Sequence, residues 1–411
     1  MTQQTSDTSR GWIVTFSALA INLVLGVLYA WGVIARALVE QWHWKRADAM
    51  LPFTISGAAF AIMMIFAGRM QDKIGPRIVA ILGGILLGVG LITSGCASTP
   101  MTMVLTFGVI GGIGIGLGYS ATTPPAVKWF PPKRKGLIVG IVVSGVGLAA
   151  VYIAPLTQFL LRSNTIPRTF VLLGIGAIVL VILFSMFLRN PPAGYVAAPA
   201  PAAGPAKSPS APKRDLDWQQ MLTTPQFYLL WVMFILTASA GLMMIANVSL
   251  IAKDQAKMVW GFLPVMLLAI FNTAGRIISG YVSDRIGRTQ TMMLAFALQA
   301  VNMFLFIHYN SANMVMFGAA FTGLCYGSIY TLMPAATADY YGTKNLGVNY
   351  GLVFSAFGVA GVLGPVVGAK IRDVSGTYAW SYRLSAILLL VAVVLAFVTR
   401  PPKTEQAGQV S

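Results

Sequence analysis

The chain has 411 residues, of which 57% are hydrophobic and 9% charged, with a mean hydropathy of +0.76. A soluble domain carries about 25% charged residues, so a water-soluble enzyme or binding module is excluded. The net charge of +17 does not point to nucleic acid either, because the basic residues sit in short loops between apolar segments, where orientation in a membrane places them.

Twelve apolar segments follow one another, each long enough to cross a hydrocarbon core of about 30 Å as a helix. They cover roughly 11–36, 47–68, 78–97, 101–127, 136–160, 168–188, 226–250, 260–283, 290–309, 312–338, 346–370 and 378–399. The first is too long for a signal-peptide core and has no early small-residue cleavage site, so it is expected to be retained. Most Lys and Arg fall on the side that holds both termini, which predicts cytoplasmic termini. The expected class is an all-α membrane protein with twelve transmembrane helices in two pseudo-symmetric six-helix bundles.

In the second segment's closing loop, GRMQDKIG begins at Gly68, and in the fourth segment Gly108, Gly112 and Gly116 recur every four residues with Gly114 and Gly118 beside them. Such small residues let helices approach closely. They do not make a GxGxxG fingerprint, so no dinucleotide site is expected. Cys96 and Cys325 are expected to be small packing residues. With His43 and His308 near span ends, the scattered His and Cys offer no zinc site, and no cofactor is expected.

The stretch from Pro191 to Asp215 is rich in Pro, Ala and Ser and holds too little apolar surface to order itself. It divides the chain into an N-terminal bundle, 1–190, a linker, 191–222, and a C-terminal bundle, 223–411. The second half repeats the first: GYVSDRIG from Gly280 matches GRMQDKIG from Gly68, and YYGTKNLGVNYG from Tyr340 matches WFPPKRKGLIVG from Trp129. A duplicated six-helix unit accounts for this. In each loop, Asp72 or Asp284 is expected to accept hydrogen bonds from a helix N-terminus or from nearby Lys73, Arg77, Arg285 and Arg288, latching that face in one conformation. The repeat also pairs Tyr119 with Tyr330. Two readings stand: each hydroxyl bonds a neighbouring helix, or the pair faces one central cavity.

Arg276 is the charge that fits none of these patterns. It lies nine residues before Arg285, about 13 Å along a helix, too deep to reach the interface. An arginine at that depth costs about 2.5–3.5 kcal/mol on insertion scales, so it needs a partner. None of the eleven Asp and Glu falls in the middle of a span, which leaves the substrate as its anion. A guanidinium offers a fork that fits a carboxylate. Asn272, one turn earlier on the same face, is placed to bind the same group, and in the first half Met64 occupies the arginine's place.

With its twelve spans, central linker and repeated GxxxD[KR]xG loops, the chain resembles the major facilitator superfamily over its whole length. Within it, WFPPKRKGLIVGIVVSGVG is similar to the fifth-span signature of the monocarboxylate transporters and the oxalate/formate antiporters, and Arg276 falls where those families place an arginine in the eighth span. The resemblance implies transport of small carboxylates by alternating access. The oxalate/formate antiporters carry a second cation in the eleventh span, where this chain has Phe357, with Phe354 one turn earlier. The animal monocarboxylate transporters place an aspartate and a first-span lysine where this chain has Asn272 and Val33.

The expected function is therefore proton-coupled transport of a small monocarboxylate such as lactate or pyruvate by a monomer in a bacterial inner membrane. Arg276 is expected to bind the carboxylate, Asn272, Tyr119 and Tyr330 to orient it, and Leu28, Phe354 and Phe357 to form an apolar wall, with Tyr29 either beside them or packed between helices. Asp339, Asp254 and the substrate's own carboxylate are the candidates for carrying the proton. An anion exchanger of the oxalate/formate kind is the first alternative and a non-transporting membrane receptor for a carboxylate the second. No nucleophile with a base, metal cluster or phosphate loop suggests an enzyme.

Overall fold

Alternating direction places both ends of the expected twelve spans on one face, the terminal face. The structure is a computed structural model and describes residues 2–192, 194–195, 215–258 and 262–401. It is an all-α membrane protein with twelve membrane-length helices in two sets of six. These are α1 (Ser9–Trp42), α2 (Ala47–Ile74), α3 (Pro76–Ser94), α4 (Pro100–Lys128), α5 (Pro132–Ser163) and α6 (Ile166–Ser185), then α7 (Pro225–Ala256), α8 (Leu263–Ile286), α9 (Arg288–Phe306), α10 (Ala312–Tyr341), α11 (Leu346–Ser375) and α12 (Ala379–Val398). Trp260, the expected start of the eighth span, lies outside the described residues.

Two spans depart from regular α-helix in their interior. The first tightens into a 3₁₀ turn at Gly26–Ala30, and α4 widens into π-helix over Val104–Gly111. Such stretches inside long helices recur at hinges and functional sites. Gly26 holds the turn so close to Ala149 of α5 that a side chain there would collide.

Within lipid, apolar burial does not drive helices together, so close contact between small residues carries more of the packing. The glycine stripes of α4 work this way. Gly108, Gly112 and Gly116 lie against Pro52, Ser56 and Phe60 of α2, while Gly114 abuts α3 and Gly118 abuts Leu25 of α1.

The two halves meet along two seams toward the terminal face. On one, Gly136 and Gly140 of α5 press against the carbonyls of Gly280 and Arg276 in α8; on the other, Gly347 and Gly351 of α11 press against those of Gly68 and Met64 in α2. The matched glycines of the sequence repeat are thus the contacts that close this face. Farther along, a side-chain carbon at Gly57 of α2 or Gly361 of α11 would meet no described residue, so that seam parts toward the opposite face.

Residues 193 and 196–214 of the expected linker lie outside the described residues. From Asp215, where the Pro- and Ala-rich stretch ends, the chain is ordered. Asp215 accepts the N–H groups of Thr343 and Lys344 at 2.9 and 3.0 Å, Leu216 donates to the Tyr341 carbonyl at 3.0 Å, and Asp217 caps a short helix, Trp218–Leu222. Hydrogen bonds to the loop between α10 and α11 order this segment, together with the packing of Leu216, Met221 and Leu222 against the core. Cys325 is buried, but Cys96 is exposed and is not the packing residue expected.

Candidate binding site

The place of Arg276 follows from how closely α8 and α10 pack. Gly275 lies against the Leu324 backbone, and Gly323 and Gly327 lie against the carbonyls of Leu268 and Asn272. Arg276 is 2% exposed. Its Nη1 donates to the Val143 carbonyl of α5 at 2.5 Å, Nε donates to Asn272 Oδ1 at 3.3 Å, and Cζ lies 4.6 Å from the centre of the Tyr330 ring. All three partners are neutral. Among the described residues no carboxylate pairs with Arg276, and Nη2 makes no hydrogen bond to them. A buried, uncancelled cation with donors to spare offers the charge and the hydrogen bonds that an anion takes.

Beside it stands an aromatic cluster centred on Phe354. Its ring centre lies 5.1 Å from Phe60, 5.6 Å from Tyr119, 5.9 Å from Phe234, 5.7 Å from Tyr350 and 5.3 Å from Phe357. Phe357 lies 6.0 Å from Tyr330, whose hydroxyl bonds that of Tyr326. The structure therefore joins Tyr119, Phe354, Phe357, Tyr330, Arg276 and Asn272 into one continuous site spanning both halves. Tyr29 is 39% exposed on the 3₁₀ turn. Leu28 is half-buried against the apolar core; neither it nor Tyr29 hydrogen-bonds Arg276.

The repeat explains why one wall is polar and the other apolar. Phe60 and Met64 of α2 occupy the positions that Asn272 and Arg276 hold in α8, and Phe354 of α11 occupies that of Val143 in α5. Equivalent helix pairs thus supply an arginine on one side and stacked rings on the other.

Of the partners expected for the charge clusters, helix N-termini hold both acids and Arg288 joins one of them. Asp72 accepts the N–H groups of Gly347 and Val348 at 3.3 and 3.0 Å, and Asp284 those of Gly136 and Leu137 at 2.8 Å each. Both acids hold the N-terminus of a helix in the other half, where partial positive charge gathers. Arg288 pairs with Asp284 at 2.7 Å and with Asp339 at 2.8 Å. The other expected partners do not join: Arg77 donates to the Met186 carbonyl, Arg285 stacks on the Tyr281 ring at 4.2 Å, and Lys73 makes no ion pair among the described residues. Asp254 pairs with Arg372 at 2.5 Å, partly exposed toward the opposite face. Neither Asp339 nor Asp254 touches Arg276.

The profile of the Major Facilitator Superfamily matches residues 11–301 and 261–410. The chain belongs to that superfamily. It is 28% identical over 399 residues to the oxalate:formate antiporter of Oxalobacter formigenes, covering 96% of this chain and 92% of that one. It is 27% identical over 398 residues to monocarboxylate transporter 13 of Rattus norvegicus, covering 93% and 87%. A crystal structure of the E. coli fucose:proton symporter FucP aligns with a TM-score of 0.70 at 13% identity, over 95% of this chain and 98% of that one. That likeness is one of fold.

In this major facilitator transporter, sequence reasoning missed Tyr326, Phe60, Phe234 and Val143. Tyr326 carried a signal, since it precedes Tyr330 by four residues and so shares its helix face. The two phenylalanines are indistinguishable in sequence from lipid-facing ones. Val143 contributes only a carbonyl, which no side-chain pattern marks.

Proposed function

We propose that the chain is a secondary active transporter of small monocarboxylates of the lactate and pyruvate class, coupled to protons, working by alternating access. The observation that carries this reading is Arg276: a buried guanidinium with three neutral partners and no acid among the described residues. A carboxylate cancels its charge and uses its remaining donors. Asn272, Tyr119 and Tyr330 orient the acid, and Phe354 and Phe357 limit its size. A single cation against an aromatic wall suits one carboxylate, and a dianion such as oxalate would bring a second charge to rings. The relatives named monocarboxylate transporter support the substrate class, and proton coupling rests on that likeness.

The protein is placed in a bacterial inner membrane as a monomer, with the terminal face cytoplasmic by the distribution of basic loops. The division into bundles 1–190 and 223–411 is the rigid-body unit of this motion. Anion exchange without a proton is the second reading, favoured by the neutral surroundings of Arg276 and by the antiporter relative.

The test is uptake of labelled lactate by purified protein in liposomes with and without an imposed pH gradient. Saturable uptake stimulated by external acid supports symport. Rapid counterflow that ignores pH supports exchange, and binding without uptake would leave only the receptor alternative.

A further inference from the structure

The two seams that close the terminal face are equivalent in the repeat but unequal in chemistry. Along α5–α8, Asp284 takes two short backbone bonds and an arginine, Arg288 also reaches Asp339 and the Ser283 hydroxyl, and Thr331 donates to the Arg276 carbonyl at 2.8 Å. Arg276 adds its own bond to Val143. Each polar side chain in this set has a partner, and only Nη2 of Arg276 is left without one among the described residues.

Along α2–α11 the counterparts are not. Asp72 makes longer bonds and has no arginine, because Pro76 stands in the place of Arg288, and Lys128 stands in the place of Asp339. Gln71, in the place of Ser283, is fully buried, and neither its amide nitrogen nor its oxygen has a partner among the described residues. Ser120, in the place of Thr331, has an unpartnered buried hydroxyl, and on α11 Asn349 Oδ1 is unpartnered too. A side-chain carbon at Gly347 would lie 2.9 Å from both Gln71 Oε1 and Asp72 Oδ2, which places the orphaned amide in the seam itself.

Unpartnered buried polar groups weigh against the closed state and regain hydrogen bonds when water reaches them. Opening α2–α11 recovers that hydration. Opening α5–α8 breaks the satisfied bonds of Asp284, Arg288 and Thr331 and hydrates one further donor, Nη2 of Arg276. We propose that the α2–α11 seam is the door through which the solute leaves toward the terminal face, and that α5–α8 remains closed as the hinge. Gln71 lines the door with an amide that a small hydrophilic anion needs, and Lys128, within electrostatic reach of Asp72 and Asp215, adds a cation near its mouth. The proposal rests on the reading of the chain as an alternating-access carrier and not on which acid it carries.

Ala67 and Ser279 are equivalent positions, both buried, each next to a seam glycine. Full-length protein in liposomes, with Cys96→Ser and Cys325→Ser, is given either Ala67→Cys or Ser279→Cys and exposed on both sides to a charged methanethiosulfonate reagent without solute. The Ala67→Cys protein is expected to react at least about tenfold faster, the effect of relieving roughly one orphaned polar group. Equal rates, or a faster Ser279→Cys protein, overturn the proposal. Adding Gln71→Leu removes the orphaned amide and should slow labelling of the Ala67→Cys protein severalfold while lowering turnover more than it changes KM; unchanged labelling overturns the proposal as well. The labelling ratio is independent of the substrate assignment, so a failure of lactate uptake with the ratio intact condemns only the assignment.

Discussion

Arg276 is the residue whose replacement tests the proposed site most directly, because its three partners in the structure are neutral. Arg276→Ala removes the cation that a bound carboxylate would meet. Deleting one partner of a buried, hydrogen-bonded ion pair costs about 3–5 kcal/mol, and each 1.4 kcal/mol is about tenfold, so kcat/KM for uptake should fall by roughly 10² to 4 × 10³-fold. Arg276→Lys keeps the charge but loses the planar fork that serves Val143, Asn272 and a carboxylate together. Loss of one charge-assisted hydrogen bond, about 1.5–3 kcal/mol, predicts a fall of about 10- to 150-fold. The assay is initial uptake of labelled lactate in liposomes, with equilibrium binding by the purified protein in parallel and thermal unfolding to confirm that each variant is folded. An Arg276→Ala protein that keeps saturable uptake within about threefold of the parent would refute the reasoning.

The other changes separate the roles assigned to the surrounding residues. Tyr330→Phe keeps the ring beneath the guanidinium but loses the hydroxyl that bonds Tyr326 and should weaken lactate binding less than Tyr330→Leu, which also removes a cation–π contact of about 1–2 kcal/mol and should weaken it by at least about 5- to 30-fold. Asp284→Asn strips Arg288 of one buried partner and both helix N–H groups of a charged acceptor, so its loss of thermal stability should exceed that of Asp72→Asn, which breaks no ion pair with an arginine. Asp254 is partly exposed and paired with Arg372 away from the site; Asp254→Asn should leave the pH dependence of uptake unchanged, and a flattened profile would return it to the coupling pathway.

How far the sequence could be read depended on whether a feature is local. Twelve apolar runs are set by the thickness of the bilayer, and a duplicated unit shows itself as matched motifs, so the fold was legible without coordinates. Arg276 stood out because depth along a helix is a simple count and no acid lay at that depth. Partners across helices were less legible. Asp72 and Asp284 were expected to meet a helix N-terminus or basic neighbours in their own loops, but nothing in the sequence marked the N-termini as those of the other half; backbone N–H groups have no residue letter. Leu28 and Tyr29 share a 3₁₀ turn, and that change of pitch alters which side of α1 faces the site. The ordering of Asp215 and Leu216 depends on backbone groups of the α10–α11 loop, which composition does not reveal.

The neutral partners of Arg276 also constrain the transport cycle. In the empty site the guanidinium is solvated by a carbonyl, an amide and a ring, but its charge is not cancelled, so reorientation exposes a bare cation to the low-dielectric interior. Val143 belongs to the opposite half, and the bond to its carbonyl ties the halves together in the closed state. An incoming carboxylate takes the remaining donor, Nη2, and cancels the charge while the bond to Val143 stays in place at the hinge. Reorientation with substrate bound should then be faster than reorientation empty, since a ligand speeds a transition when it favours the state to be crossed. The measurable consequence is that exchange of labelled for unlabelled lactate across the liposome membrane outruns net uptake, whether or not a proton travels with the acid. Net uptake as fast as exchange would mean that the empty carrier neutralises Arg276 by another route, and the Asp284–Arg288–Asp339 cluster, about two helical turns closer to the terminal face, would be the first place to seek the proton.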